Sequence, residues 1–199
     1  MVFKIGSTMS KRIFITATNT NIGKTYTAKL LLEAYSARGL KVCAFKPVES
    51  GAMDDFSDGE ELLRCSKQNN PTVWSLEVDD IVGVSFSKAA APFIASGGKK
   101  LDIELILKKL LYLESMCDVV IIEGAGGLYT PLDGEMMIVD LIDMLNAATL
   151  LVTHCSLGCI NDTLLSKELL KKHNIRELTA FNCVGSDDNF NSVSKPYFD

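Results

Sequence analysis

Between an apolar run that closes at Ala17 and a helical pattern that opens at Lys24 lies the segment Ala17-Thr18-Asn19-Thr20-Asn21-Ile22-Gly23-Lys24-Thr25. Successive backbone N–H groups in such a loop, together with the start of the next helix, cradle phosphate oxygens, while a lysine neutralises charge and a hydroxyl ligates Mg2+. Thr18 occupies the position where the usual spacing has its first glycine, so only Gly23-Lys24-Thr25 is intact. The competing reading is an ordinary strand-to-helix turn with a chance Gly-Lys-Thr.

A second chemical feature is Asp118-Val119-Val120-Ile121-Ile122-Glu123, an apolar strand that ends in a carboxylate and runs into Gly124-Ala125-Gly126-Gly127. A strand beside the phosphate loop can bring such an acid to the metal, and the glycines let backbone approach a ligand. Otherwise Glu123 is a solvated strand-end carboxylate. A third is Lys46, followed by Pro47-Val48-Glu49-Ser50-Gly51. Two lysines at one sheet edge would form an electrostatic clamp on a transferring phosphoryl group, but a lone lysine there reads equally well as solvent-exposed.

The elements that must position these residues follow from periodicity. Short β-branched and apolar runs at residues 11–16, 42–45, 119–122, 149–153 and 178–184 read as strands. Ala28, Leu31, Leu32 and Tyr35 recur at helical spacing from Lys24 onward, ended by Gly39. Further helices are expected over 102–114, capped by Asp102, near 137–146, and over 159–173. Continuous apolar strands alternating with helices indicate a doubly wound α/β fold, a mainly parallel sheet covered on both faces. Right-handed crossovers then place the chemistry in the loops 17–25, 46–58, 123–131 and 154–161. Residues 67–100 read as loop-rich.

The 199 residues, 47% of them hydrophobic, suit one domain over 1–199, with an extension over 1–10 and a polar, poorly ordered tail over 185–199. A net charge of −5 argues against a broad footprint for nucleic acid or an anionic membrane surface, while leaving local binding of small anions open. No apolar run reaches the roughly 18 residues of a membrane span, and Met1 to Lys11, lacking an apolar core before a small-residue cleavage site, is not expected to act as a secretory signal. Six scattered cysteines imply a reduced, cytoplasmic protein with free thiols, a metal site at His154, Cys155 and Cys159 being the alternative.

Taken together, the motifs resemble the dethiobiotin synthetase family, whose members are ATP-dependent. The resemblance is carried by Ala17 to Thr25, by Lys46-Pro47-Val48 with Ser50-Gly51, by Glu123-Gly124-Ala125-Gly126-Gly127-Leu128 with Thr130-Pro131, and by Leu157-Gly158-Cys159-Ile160-Asn161. It implies a ligase that carboxylates 7,8-diaminopelargonate with CO2 (from bicarbonate), phosphorylates the carbamate with ATP and closes the ring to dethiobiotin, ADP and phosphate. It further implies that Asn21, Ile22, Gly23, Lys24, Thr25 and Tyr26 bind nucleotide along with Gly124, Ala125 and Gly126, and that Thr25, Asp58 and Glu123 hold Mg2+. Asp58 is preferred to Asp54 and Asp55 because it begins a helical stretch. Lys46, Thr20 and Lys24 would be catalytic. Ser50, Gly127 and Leu128 would hold substrate, with Leu157, Gly158, Cys159, Ile160 and Asn161 receiving its far carboxylate across a homodimer interface. No Ser/His/Asp arrangement is expected, since the substrate supplies the nucleophiles.

Against the family pattern, Asp162 and Phe93 stand where histidines are frequent. Val184 falls near the position of an asparagine that closes the last strand, and the chain stops before a base-reading segment. Relaxed discrimination between ATP and other nucleoside triphosphates is therefore expected. A partition-type ATPase would need a lysine at Asn19, and no Asn-Lys-x-Asp guanine motif is present.

Overall fold

The computed structural model describes residues 4–5, 8–9, 12–51, 57–184 and 190–199. Six strands form the sheet: β1 (Arg12–Ala17), β2 (Val42–Ser50), β3 (Val82–Phe86), β4 (Val119–Glu123), β5 (Ala148–His154) and β6 (Glu177–Asn182). Their spatial order is β3-β2-β4-β1-β5-β6, with every neighbouring pair parallel. The principal helices are α1 (Lys24–Ser36), α2 (Asp58–Asn69), α3 (Ile103–Met116), α4 (Ile138–Leu145) and α5 (Cys159–Lys172). Two-residue strands Lys4–Ile5 and Thr8–Met9 pair with each other, apart from the sheet.

The central strands are buried on both faces, which is why they read as unbroken apolar runs rather than alternating ones. Ile13, Phe14 and Ile15 on β1 and Val119 to Ile122 on β4 are fully buried. The covering helices bury a stripe each: Ala28, Leu32 and Tyr35 on α1, and Ile106, Leu110 and Leu113 on α3. Asp102 caps α3 as expected, accepting the Leu105 N–H at 2.9 Å.

Three expectations are corrected. The second strand does not stop before Pro47 but runs to Ser50. Pairing with β4 ends at Phe45↔Ile122 and β3 takes over from Lys46↔Val82, so the missing N–H of Pro47 costs no bond to β4. Residues 67–100 are not mainly loop: they hold the edge strand β3 and short helices at Val78–Ile81 and Pro92–Ala95. Poor order was expected over 185–199; residues 185–189 lie outside the described residues, whereas 190–197 form helical turns. Phe190 is buried, and the Phe181 ring meets Phe190 and Phe198 at centroid distances of 4.9 and 4.7 Å.

The order of strands fixes where a ligand can sit. β1 leads through α1 to β2 on one side, whereas its neighbour β4 leads through α4 to β5 on the other. The two loops part at the carboxyl ends of β1 and β4, opening a crevice there. Stability should rest on the packed layers behind it. Leu110→Ala, at a fully buried α3 position, is expected to lower unfolding free energy by about 2–5 kcal/mol in a urea titration.

Candidate functional site

The crevice is a cleft of about 690 Å3 whose walls come from the phosphate loop, β2, the start of α2, residues 89–92 and the turn after β4. Thr20, Asn21, Gly23, Lys24, Thr25, Lys46, Ser50, Asp58, Glu123, Gly124, Ala125 and Gly126 all line it. Ile22 packs instead on the core and Tyr26 is exposed.

The loop is shaped by backbone that few side chains tolerate. Gly23 has φ +96, and a Cβ there would run into the Asn182 side chain. Gly127 lies so near the loop that a Cβ would stand 3.2 Å from the Thr18 carbonyl oxygen, which ties the turn after β4 to the phosphate loop.

Lys46 is not solvent-exposed. It is 3% accessible, with its Nζ 2.5 Å from Glu123 Oε1 and 2.6 Å from Asp58 Oδ2. The Thr25 hydroxyl stands 3.1 Å from the same Glu123 oxygen and 3.2 Å from Asp58 Oδ1. Burial opposes charge on Lys46, yet Glu123 and then Asp58 outweigh it and leave the pKa raised. Burial likewise pushes Asp58 up, but the charge and hydrogen bond of Lys46, with help from Thr25 and Lys24, bring it below the usual carboxylate range. Lys24 differs. Its Nζ donates to the Asn19 carbonyl at 3.3 Å, and burial lowers its pKa to about 8, only partly offset by Glu123 and Asp58.

A hydroxyl and two carboxylates converge here, and Glu123 Oε2 is buried without a partner among the described residues. Hard oxygen donors of this kind suit Mg2+, which takes one or two carboxylates and completes its shell with water and substrate phosphates. Among the described residues no group of three or more His, Cys, Asp or Glu side chains could hold a metal by itself. Asp54 and Asp55 lie outside the described residues.

Other expected site residues are not in the cleft. Leu128 is 4% exposed and packed in the core, its carbonyl accepting the Val139 N–H, so its side chain is not available to a ligand. Leu157 and Gly158 lead into α5 and Cys159 to Asn161 begin it, away from the cleft lining. Cys159 is fully buried there and Leu157 fully exposed.

The cysteine and histidine expectations also change. Cys155 is disulfide-bonded to Cys183 rather than free, because the parallel ends of β5 and β6 bring the residues after them together. His154 faces Ser156 Oγ at 2.5 Å and Asp162 Oδ2 at 3.0 Å, which removes the suggested His154–Cys155–Cys159 metal set. A Ser/His/Asp contact therefore does exist, but none of its members lines the cleft.

Thr130, in the motif stretch after β4, does line the cleft, its Oγ1 accepting the Gly127 N–H at 2.9 Å. Sequence reasoning missed two contributors: Glu49, 4% exposed, and Asn182. β6 ends at Asn182, not near Val184, which is exposed. Asn182 Nδ2 donates to the Ile22 carbonyl at 2.8 Å, placing an asparagine beside the phosphate loop after all.

A parallel sheet with Gly-Lys-Thr between β1 and α1, and an acid at the end of the adjoining strand, defines the P-loop class of nucleotide-handling α/β domains. Solved structures bear out the fold alone. A chain of the MinC:MinD cell division protein complex from Aquifex aeolicus has a TM-score of 0.54 at 14% identity, over 92% of this chain and 73% of that one. The kinase domain of the Escherichia coli tyrosine kinase ETK has a TM-score of 0.53 at 15% identity, over 88% and 68%. Within the class, residues 11–196 match the family described as AAA domain. An ATP-dependent dethiobiotin synthetase from Sulfurovum sp. (strain NBC37-1) is 42% identical over 187 residues, 94% of this chain and 89% of the relative. One from Helicobacter pylori (strain ATCC 700392 / 26695) is 36% identical over 191 residues, 94% and 88%. The chain belongs to the dethiobiotin synthetase family.

The state of Lys24 gives a pH test. Its pKa is lowered from 10.5 to about 8 by folding, so between those values the unfolded chain holds the extra proton and stability rises with pH. The charged form therefore burdens the fold most fully below pH 8, by on the order of 3 kcal/mol. Urea titrations should find Lys24→Met more stable than wild type at pH 7, with the gap closing as pH approaches 10.5. Equal stability at both pH values would show that the lysine already has its counter-charge.

Proposed function

We propose that this chain carries out the reaction named for its relatives: ATP-dependent carboxylation and ring closure of 7,8-diaminopelargonate to dethiobiotin. One amine takes up CO2 as a carbamate, the carbamate oxygen accepts the γ-phosphoryl group of ATP, and the neighbouring amine attacks the carbamoyl carbon and expels phosphate. The observation that carries this reading is the buried Lys46 between Glu123 and Asp58, facing the same cleft as Lys24.

Each step gathers negative charge on oxygen, and no protein nucleophile is required. The task left to the chain is orientation and charge stabilisation in a site sheltered from water. Lys24 and the N–H groups from Asn21 to Thr25 would take the phosphates. Lys46, which stays charged because its counterions are built in, would face the carbamate and the transferring phosphoryl group. Thr20, Ser50 and the turn from Gly124 to Gly127 would bound the reacting end of the substrate. Thr25, Asp58 and Glu123 would hold Mg2+, which when bound neutralises phosphate charge.

The start of α5 is read as the receiver of the substrate's far carboxylate. Gly158 opens the helix at φ +100, and first-turn N–H groups with the helix dipole favour an anion. These residues lie outside the chain's own cleft lining, which supports a homodimer in which each α5 start serves the partner's cleft. A cytoplasmic location belongs to the same proposal, as ATP is the co-substrate. Relaxed base choice loses its first support, because Asn182 stands beside the phosphate loop. Its Nδ2 is used by Ile22, leaving Oδ1 to accept from an exocyclic amino group such as that of adenine.

Incubation with 7,8-diaminopelargonate, bicarbonate, Mg2+ and ATP should yield dethiobiotin by mass, with one ADP and one phosphate each; no product at saturation would end the proposal. Lys46→Ala should lower kcat by roughly 10²- to 10³-fold with an unchanged circular dichroism spectrum, and wild-type turnover would remove Lys46 from the chemistry. In competition assays wild type should prefer ATP to GTP, and Asn182→Ala should narrow that preference. An unchanged ratio would mean that Asn182 does not read the base.

A further inference from the structure

Glu49 is a buried carboxylate for which the proposed reaction has no direct use. It lies on β2 three residues after Lys46 and is 4% exposed. Alternation along the strand sends Lys46, Val48 and Ser50 to the cleft and Glu49 to the opposite side. There its Oε1 accepts the backbone N–H of Gly59 at 3.1 Å.

Gly59 is the second residue of α2 and directly follows Asp58. Its N–H is one of the first-turn donors that no helix can satisfy internally, and a carboxylate suits the positive end of the helix dipole. There is no room to sit differently: a Cβ on Gly59 would stand 2.7 Å from Val82 Cγ2 and 2.8 Å from Glu49 Oε2. The first turn of α2 is thus seated on the Glu49 carboxylate. From the cleft side the same turn is held through the Asp58 carboxylate, by Lys46 at 2.6 Å and Thr25 at 3.2 Å. Asp58 is fixed twice, by its side chain in front and by the adjoining peptide behind.

We propose that Glu49 is a positioning residue which, by holding the Gly59 N–H, sets where the Asp58 carboxylate stands and hence how tightly Thr25, Asp58 and Glu123 grip a divalent cation. The proposal rests on the metal reading given above for those three residues. It differs from a general structural role, because anchoring α2 for stability alone would leave cation affinity unchanged in any variant that folds.

The test is Mn2+ binding to the full chain in the presence of ATP, followed by the loss of the free Mn2+ electron paramagnetic resonance signal. Glu49→Gln keeps the acceptor oxygen and should stay near wild type. Glu49→Asp keeps the charge but withdraws it by one methylene, and Glu49→Leu removes the acceptor. Both should weaken Mn2+ binding roughly tenfold, the usual cost of losing a group that orients a metal ligand. Should Glu49→Leu fail to fold, Glu49→Asp decides. In an Asp58→Asn background, Glu49→Asp should add no further loss, since the two act through one carboxylate. Wild-type affinity in Glu49→Asp, or full additivity with Asp58→Asn, overturns the proposal. If Asp58→Asn alone binds Mn2+ like wild type, the metal reading itself fails, a result that tells the two apart.

Discussion

The site depends on one buried ammonium. Lys46 sits almost wholly out of water between Glu123 and Asp58, and removing such charges from solvent costs several kcal/mol per ion unless the geometry is held closely. Three separate segments must therefore arrive in register: β2 for the lysine, the end of β4 for Glu123, and the first turn of α2 for Asp58. The parallel ladder fixes the first two through Phe45↔Ile122, the last pair before both side chains. Asp58 lies twelve residues beyond Lys46, so it needs the helix start to hold it.

The two lysines of the cleft then have opposite electrostatic histories. Lys46 carries its counterions with it and keeps its charge in the fold. Among the described residues Lys24 has only a carbonyl oxygen within hydrogen-bond reach, and it is shifted down by burial to about 8. Adding a polyanion would change little for the first and much for the second. A buried cation at a helix start, with no carboxylate in hydrogen-bond contact among the described residues, suits an anionic ligand. The division of labour proposed for them, Lys24 for nucleotide phosphates and Lys46 for the reacting group, follows from that asymmetry.

The sheet was largely legible because buried parallel strands write continuous apolar runs and their helices write stripes. Lys24, Thr25 and Glu123 could be picked out because a strand-loop-helix context and a strand-end acid are local patterns. Lys46 could not be decided locally, since its burial comes from Glu123, 77 positions away, and no spacing rule encodes that contact. β3 escaped notice because it is five residues long, contains Gly83 and Ser85, and lies at an edge. The last strand was read too far because Cys183 and Val184 continue the apolar run, whereas pairing ends with His154↔Asn182. That two-residue error hid Asn182. The aromatic anchors of the tail were masked by the polar residues around them.

Beyond the cleft, the carboxyl ends of β5 and β6 form a second centre of constraint. The disulfide of Cys155 with Cys183 ties the residue that leads toward α5 to the residue that follows Asn182. Cys159 and Phe190 pack against the same cluster. The start of α5, the two residues that flank Asn182, and the C-terminal turns therefore meet at one small apolar seat, Phe181 by packing and Cys183 through the disulfide. On the proposed reading, α5 serves a partner's substrate while Asn182 serves the chain's own nucleotide. A dimer built through α5 would then bear on the nucleotide end of one cleft and the carboxylate end of the other through the same few residues. This gives a physical reason for packing the end of the sheet so tightly at a place where the cleft itself makes no demand on it.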